Sequence, residues 1–306
     1  MNEPDGSAQP TTGGGQGGTA KRGGWALGLR TGSGVLFVPL LIALAAAGGH
    51  AFFAFVAMQT ALGLIEFYRL MRAKGHRPVV WLGQLAALAV LALAYRPHTP
   101  FGAFLLTGSL MLLLAVALRH PERPRIVESV AVTAFGVLYV GWLSAHFVLL
   151  RELPWLAGLA YADGMKLVLF AFLVTWSCDT GAYLVGRRFG RIRPFALISP
   201  RKSLEGAVGG FVFAVAASVI ASQTFMHPEG GAAWLTWTQA VTIGAIVGVG
   251  GQVGDLVESL LKRDADAGDA SDLIPGHGGV LDRFDSLYFG APLVYHFLRM
   301  VVFQFP

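Results

Sequence analysis

The stretch MKLVLFAFLVTWSCDTGAYLVG, residues 165–186, decides the fold class of this 306-residue chain. It is apolar over about 20 residues, which is enough for one helix to cross a hydrocarbon layer about 30 Å thick. Comparable runs occur at roughly 34–48, 50–70, 79–95, 101–118, 126–150, 206–227, 238–261 and 286–305. The sequence therefore predicts an all-α, polytopic integral membrane protein with about nine transmembrane helices.

The overall composition agrees with a lipid bilayer as the solvent. Hydrophobic residues make up 54% of the chain and charged residues 13%, with a mean hydropathy of +0.59. These values exclude a disordered chain and are unusual for a water-soluble globule. The formal net charge of +5 does not indicate nucleic-acid binding, because the basic residues lie between the apolar runs and not in one patch. A single cysteine, Cys178, excludes an internal disulfide framework.

The positions of the basic residues predict the topology. If the N-terminus lies in the cytoplasm, the inner segments hold all of the 23 Lys and Arg residues except Arg96, Arg151, Lys166 and Arg299. Because Lys and Arg accumulate in short cytoplasmic loops, this alternation supports nine spans with a cytoplasmic N-terminus. Residues 1–24 are rich in Gly, Thr, Ser and Gln and are predicted to be a disordered cytoplasmic tail. Residues 25–306 form one predicted membrane domain, with the catalytic elements mainly in 165–290.

One acidic residue and one basic loop indicate an anion-binding site. A carboxylate in a membrane helix is energetically unfavourable, so Asp179, within the run 165–186, is a functional candidate. The following loop holds six cations, and its segment SPRKS, residues 199–203, precedes a predicted helix whose free N–H groups favour anions. An ordinary cytoplasmic loop would also be rich in arginine, and this alternative stays open here.

The eighth run ends in GDLVESLLKR, residues 254–263, and carries a polar stripe. On a helix, Asp255, Glu258, Ser259 and Lys262 occur at i, i+3, i+4 and i+7, so they share one face. Such a face is predicted to contact protein, water or a ligand and not lipid. Snorkelling of a salt-bridged helix end into the headgroups is the competing interpretation, and it fits Lys262 better than the deeper Asp255.

A third acidic segment follows, DADAGDASDLIPGHGGVLDRFDS, residues 264–286. Asp282 and Asp285 are predicted to lie on one face at the start of a helix. Carboxylates without a Cys or His cluster indicate Mg²⁺, which typically uses one or two carboxylates together with phosphates and water. His277 is flanked by glycines, and we expect it to shape the loop or to act as a ligand or acid.

The stretch SLLKRDADAGDASDLIPGHGGVLDRFDS, residues 259–286, resembles the signature of the phosphatidate cytidylyltransferases, also called CDP-diacylglycerol synthases. WSCDTGAYLVGRRFG and SPRKSLEGAVGG match the other polar segments of that family, and EFYRL at 66–70 is a weaker match. The family usually has a Lys where this chain has Gly268. The resemblance implies transfer of the cytidylyl group of CTP to phosphatidic acid for phospholipid biosynthesis, giving CDP-diacylglycerol and pyrophosphate. It also implies a bacterial inner membrane location with the active site facing the cytoplasm.

The resemblance further implies roles for individual residues. Metal binding is expected at Asp255 and Asp282, with Asp285 in support and Asp269 as a further candidate. Mg²⁺ is the expected cofactor, and a second metal ion is compatible with this set. The expected catalytic residues are Asp255, Asp282, Lys262 and Asp179, and the expected substrate-binding residues are Ser199, Lys202, Ser259, Arg263, His277 and Arg283. The expected partners are CTP, phosphatidic acid and the bilayer, without nucleic acid, and a homodimer is compatible with them.

Two other functions fit parts of this pattern. A CTP-dependent lipid kinase would share the membrane helices, acidic metal ligands and basic loops, but would transfer the γ-phosphoryl group. A membrane transporter is the non-enzyme alternative, because carboxylates in membrane helices often carry protons or ions. The acids of this chain concentrate at one predicted face and not at the midplane, which favours the enzyme.

Overall fold

The computed structural model describes residues 37–96, 101–118, 126–228, 231–268, 271 and 278–304. In these ranges the regular elements are helices, without a β-strand, so the predicted all-α class is confirmed. We number them α1 Phe37–Ala47, α2 Gly49–Ala73, α3 Val80–Tyr95, α4 Phe101–Leu118, α5 Ile126–Leu156, α6 Gly164–Phe189, α7 Leu204–Thr224, α8 Trp237–Asp264 and α9 Leu281–Phe297. A π-helical segment, Val137–Trp142, lies within α5.

Five segments in the described part of the chain are long and apolar enough to cross a membrane. They are α2, α5, Tyr161–Phe189 with α6, α7 and α8. The predicted membrane protein is thereby supported, whereas the count of nine spans stays a prediction. The 16 residues of α3 extend about 24 Å, less than a hydrocarbon core of about 30 Å. The predicted tail, residues 1–24, lies outside the described residues.

Local sequence signals define where α7 and α8 begin. Ser203 is the N-cap of α7, and its hydroxyl accepts a hydrogen bond from the Gly206 N–H at 3.1 Å. A capping box starts α8, in which Thr236 Oγ1 accepts from the Gln239 N–H at 3.2 Å and Gln239 Oε1 accepts from the Thr236 N–H at 2.9 Å. These bonds satisfy N–H groups that lack a partner within the helix, so both starts follow from the sequence.

Helices α6 to α9 pack against one another. Glycines permit very close backbone approach at their crossings. A Cβ atom at Gly244 of α8 would lie 2.7 Å from the Val215 Cα of α7, and one at Gly254 would lie 2.7 Å from the Asp285 carbonyl oxygen of α9. Small residues are the usual means by which membrane helices approach one another. This packing brings the C-terminal part of α8 against the N-terminal part of α9.

Apart from the candidate site described below, a second polar centre lies near the C-terminal end of α5 and is formed by Arg151, Glu152 and Tyr161. The Arg151 side chain is buried and donates hydrogen bonds to the carbonyl oxygens of Ala45 at 2.7 Å and Tyr161 at 2.8 Å. The neighbouring Glu152 accepts a hydrogen bond from the Tyr161 hydroxyl at 2.8 Å. These contacts join α5 to the end of α1 and to the start of the segment that contains α6. They contain none of the predicted site residues.

Candidate active site

Three acidic side chains meet where α8 packs against α9. Asp255 and Glu258 lie one turn apart on α8, and Asp285 lies in the second turn of α9. One carboxylate oxygen from each residue lies within 4.8 Å of the other two. The Glu258 side chain is completely buried. Ionised carboxylates this close together repel one another strongly in a medium of low dielectric constant, so nearby cations or bound protons are needed to stabilise the cluster.

Lys262 supplies one of these cations. Its Nζ lies 2.6 Å from Glu258 Oε2 and 2.7 Å from Asp282 Oδ1, so it links α8 to the first turn of α9. The other Asp282 carboxylate oxygen accepts a hydrogen bond from the Gly279 N–H at 2.7 Å. Asp282 therefore lies beside the acidic cluster and is held by a lysine and a backbone amide. The structure thus brings Asp255 and Asp282 to the same end of the helix pair.

Two further segments reach the same place. Lys202, in the loop between α6 and α7, has its Nζ 2.8 Å from Asp255 Oδ1. Asp179 of α6 accepts a hydrogen bond from the Ser286 hydroxyl at 3.1 Å, and Ser286 follows Asp285 directly. Predicted residues from three separate sequence segments consequently meet at this cluster: Asp179, Lys202 and Asp255.

The remaining predicted substrate-binding residues of the described part of the chain belong to the same helices and loop as the residues above. Arg263 donates from Nε to the Ile198 carbonyl oxygen at 3.2 Å, which ties the basic loop to the end of α8. Ser199 follows in that loop, Ser259 is buried on α8, and Arg283 is exposed on α9. Their roles in phosphate binding stay predictions. The predicted residues Asp269 and His277 lie outside the described residues.

The polar stripe on α8 was predicted to contact protein, water or a ligand, and three of its four residues are buried or mostly buried in protein, whereas the Asp255 side chain is 33% exposed. Glu258 is completely buried, Ser259 is 9% exposed, and the Lys262 side chain is 14% exposed. The prediction nevertheless omitted Glu258 from the metal ligands and named Asp282. Glu258 lies three residues after Asp255, and this spacing puts both side chains on one helix face. The sequence therefore contained a signal for including Glu258.

Two other residues at the site were not among the predicted ones. Ser286 contacts Asp179, and Glu66 of α2 contacts the start of α9 through the Val280 and Leu281 N–H groups. Glu66 lies in the apolar run 50–70 and is 1% exposed. The rule that an acid in a membrane helix marks a functional position applies to Glu66 as it does to Asp179. No comparable signal was available for Ser286.

The donor set fits a small, hard divalent cation. Asp255, Glu258 and Asp285 offer carboxylate oxygens, which Mg²⁺ prefers to nitrogen or sulfur ligands. Lys202 and Lys262 add positive charge at the edges of the cluster, where they can contact the oxygens of a polyphosphate. Such an arrangement is suited to bringing two anionic phosphate groups together.

The model of the cytidylyltransferase family matches residues 28–301, which include every residue of the site described above. The chain belongs to the cytidylyltransferase family. The match spans both the helices that carry the acids and the N-terminal helices, including α2 with Glu66.

Individual members of the cytidylyltransferase family are similar over different lengths. A phosphatidate cytidylyltransferase of Synechocystis is 33% identical over 88% of this chain and 96% of its own. One from Bacillus subtilis is 35% identical over 56% of this chain and 60% of its own. The chloroplastic phosphatidate cytidylyltransferase 5 of Arabidopsis thaliana is 31% identical over 83% of this chain and 67% of its own.

Proposed function

We propose that this protein transfers the cytidylyl group of CTP to phosphatidic acid, giving CDP-diacylglycerol and pyrophosphate. The observation that carries the proposal is the similarity over nearly the full length of the Synechocystis phosphatidate cytidylyltransferase. The cluster of acids and lysines at the α8–α9 crossing supports it, because both substrates are phosphates. The lipid kinase and the transporter gain no support from the names of these relatives.

The chemistry requires charge neutralisation and alignment more than proton removal. A phosphate monoester has a second pKa near ~6, so the phosphatidic acid headgroup is mostly a dianion at neutral pH. One of its oxygens attacks the α-phosphorus of CTP and forms a new P–O bond, while the bond from that phosphorus to the bridging oxygen breaks and pyrophosphate leaves. Because both reactants are anions, positioning and electrostatic stabilisation supply most of the catalysis.

We assign metal binding to Asp255, Glu258 and Asp285. The assignment differs from the sequence prediction by including Glu258 in place of Asp282, because carboxylate oxygens of Asp255, Glu258 and Asp285 lie within 4.8 Å of one another. Mg²⁺ bound there would neutralise charge on the transferring and leaving phosphates. Asp282 keeps Lys262 directed towards the cluster, and Asp179 with Ser286 supports the position of Asp285.

We assign the phosphate contacts to basic and hydroxyl groups at the edge of the cluster. Lys202 and Lys262 exchange their carboxylate partners for phosphate oxygens when CTP binds, and Arg263 holds the basic loop in place. The predicted contacts from Ser199, Ser259, Arg283 and His277 complete this proposal. A second metal ion beside Asp179 or Asp269 and a homodimer are compatible with it.

The proposed orientation is that of a bacterial inner membrane protein with nine spans, a cytoplasmic N-terminus and a cytoplasmic active site. Exposed arginines on the loop after α6 support it, since positive residues are retained on the cytoplasmic side. Water-soluble CTP would then enter from the cytoplasm, while the acyl chains of phosphatidic acid remain in the bilayer.

The decisive experiment incubates purified protein with phosphatidic acid, Mg²⁺ and CTP labelled at either the α- or the γ-phosphorus. We expect α-label in a cytidine-containing lipid and γ-label in pyrophosphate. Transfer of γ-label to the lipid would identify a lipid kinase and contradict the proposal. The Asp255→Asn variant serves as the inactive control.

A further inference from the structure

Glu66 of α2 contacts the start of α9, although more than 200 residues separate the two in sequence. Its Oε1 accepts a hydrogen bond from the Val280 N–H at 3.1 Å, and its Oε2 accepts one from the Leu281 N–H at 2.7 Å. The residue is 1% exposed. Both carboxylate oxygens are therefore used to bind the first turn of a helix that carries site residues.

This contact replaces a local helix cap. The N-cap position of α9 is Val280, whose side chain makes no capping hydrogen bond. The first N–H groups of a helix have no partner within the helix, and a negative charge is stabilising at that end. Glu66 supplies both the acceptor oxygens and the negative charge from another helix. The start of α9 is thus fixed relative to α2.

The loop before α9 is adapted to this carboxylate. A Cβ atom at Gly279 would lie 2.5 Å from Glu66 Oε2 and 2.8 Å from its Cδ, so a side chain at Gly279 would displace Glu66. Ser271 donates its hydroxyl hydrogen bond to Glu66 Oε1 from the other side of the loop. Glu66 consequently binds residues on both sides of the segment 272–277, which lies outside the described residues.

The same turn holds the acidic residues of the site. Asp282 directly follows Leu281, whose N–H binds Glu66, and Asp285 lies one turn further along α9. The Gly279 N–H donates to Asp282, so the residue that accommodates Glu66 also orients Asp282. A shift at the start of α9 would move both aspartates relative to Asp255 and Glu258 on α8.

We propose that Glu66 is a positioning residue that holds the first turn of α9, and with it Asp282 and Asp285, in the geometry needed for divalent-cation and CTP binding. Glu66 acts through the backbone and does not touch substrate. The part of this inference that concerns cation and CTP binding rests on the proposed function. The part that concerns the helix start can be tested without any activity.

The first test compares Glu66→Gln with Glu152→Gln. Glutamine keeps the size of the side chain but removes the charge and one acceptor oxygen. Glu152 is a matched control, because it is also a buried glutamate that accepts a hydrogen bond but lies in the second polar centre. Hydrogen–deuterium exchange at residues 278–284 should become at least tenfold faster in Glu66→Gln and stay unchanged in Glu152→Gln. Unchanged exchange in both variants would overturn the proposal.

The second test measures cytidylyl transfer as a function of Mg²⁺ and CTP. In Glu66→Gln, the half-saturating Mg²⁺ concentration should rise by about tenfold, while Glu152→Gln keeps the wild-type value. Equal losses of turnover in both variants with unchanged Mg²⁺ dependence would indicate a purely structural role and overturn the positioning role. An inactive wild-type protein would instead reject the proposed function and leave the exchange test valid.

A third variant disturbs the same contact from the loop before α9, without changing the Glu66 side chain. Gly279→Ala places a methyl group against the Glu66 carboxylate and should reproduce faster exchange at residues 280–284. Because both changes act on one contact, the double variant Glu66→Gln with Gly279→Ala should lose little more than either single variant. Fully additive effects on the exchange rates would contradict a shared contact.

Discussion

The acidic cluster at the α8–α9 crossing contains three carboxylates, whereas among the described residues only two lysines pair with them. Lys202 pairs with Asp255 and Lys262 pairs with Glu258, whereas Asp285 accepts a hydrogen bond from the Ser286 N–H at 2.6 Å. Like charges in such a site raise the energy of the folded protein, and a bound cation or proton relieves this repulsion. If the cluster binds a divalent cation as proposed, we expect that cation to stabilise the folded protein, which gives the metal assignment a test independent of turnover.

Asp285→Asn should remove this coupling. A ligand present at 100 times its dissociation constant stabilises a protein by about 2.7 kcal/mol, so Mg²⁺ should raise the melting temperature of the wild-type protein. The variant should lose most of that rise and more than 100-fold in turnover, without unfolding. Asp264→Asn is the control, because Asp264 pairs with Lys74 at the exposed end of α8. A full Mg²⁺ response in Asp285→Asn would contradict the assignment.

Lys262→Ala should affect stability and substrate use together. Its removal leaves the buried Glu258 and the mostly buried Asp282 without their shared cation, which should destabilise the protein by about 3 kcal/mol. The proposed phosphate contact should also be lost, raising the KM for CTP. Lys74→Ala breaks an exposed pair and should cost at most about 1 kcal/mol. Denaturation in detergent and CTP titration measure the two effects, and equal stabilities of the two variants would count against the buried network.

At the level of elements, the features that can be predicted from the sequence are those determined by residues close to one another in the chain. The stripe on α8 and the cap of α7 at Ser203 depend on spacings within one helix or turn. The Lys262–Asp282 pair and the contact of Glu66 with α9 join separate helices, so no local pattern encodes them. Helix lengths differ from the apolar runs for a related reason, since hydropathy averages over residues and does not register where backbone hydrogen bonding ends.

The crossing of α8 and α9 depends on a glycine, and a substitution there tests the role of helix packing. In Gly254→Ala, the new Cβ would lie 2.7 Å from the Asp285 carbonyl oxygen and 2.9 Å from the Phe289 ring. The helices must separate, which should destabilise the protein by about 1–3 kcal/mol and reduce turnover by moving Asp285. Gly268→Ala is the control, because no described atom lies within 4 Å of a Cβ there. Wild-type turnover in Gly254→Ala would show that the close crossing is not needed.

At the level of the whole molecule, the two polar centres lie towards opposite ends of the segment Tyr161–Phe189. Asp179 belongs to the candidate active site, whereas Tyr161 contacts Arg151 and Glu152. Asp179 lies 18 positions after Tyr161, which corresponds to about 27 Å along a helix, close to the thickness of a hydrocarbon core. We therefore expect the two centres to lie near opposite membrane surfaces, and the positive loop after α6 predicts which surface is cytoplasmic.

Cysteine labelling can test this orientation because the native thiol is hidden. Cys178 is 0% exposed, whereas Leu197, in the loop after α6, is 96% exposed. A membrane-impermeant maleimide should label Leu197→Cys only in inverted membrane vesicles. The same reagent should label Ala162→Cys, near the start of the segment Tyr161–Phe189, only in intact spheroplasts. The wild-type protein gives the background in both preparations. Labelling of Leu197→Cys from outside intact cells would reverse the topology and place the acidic cluster where cytoplasmic CTP cannot reach it.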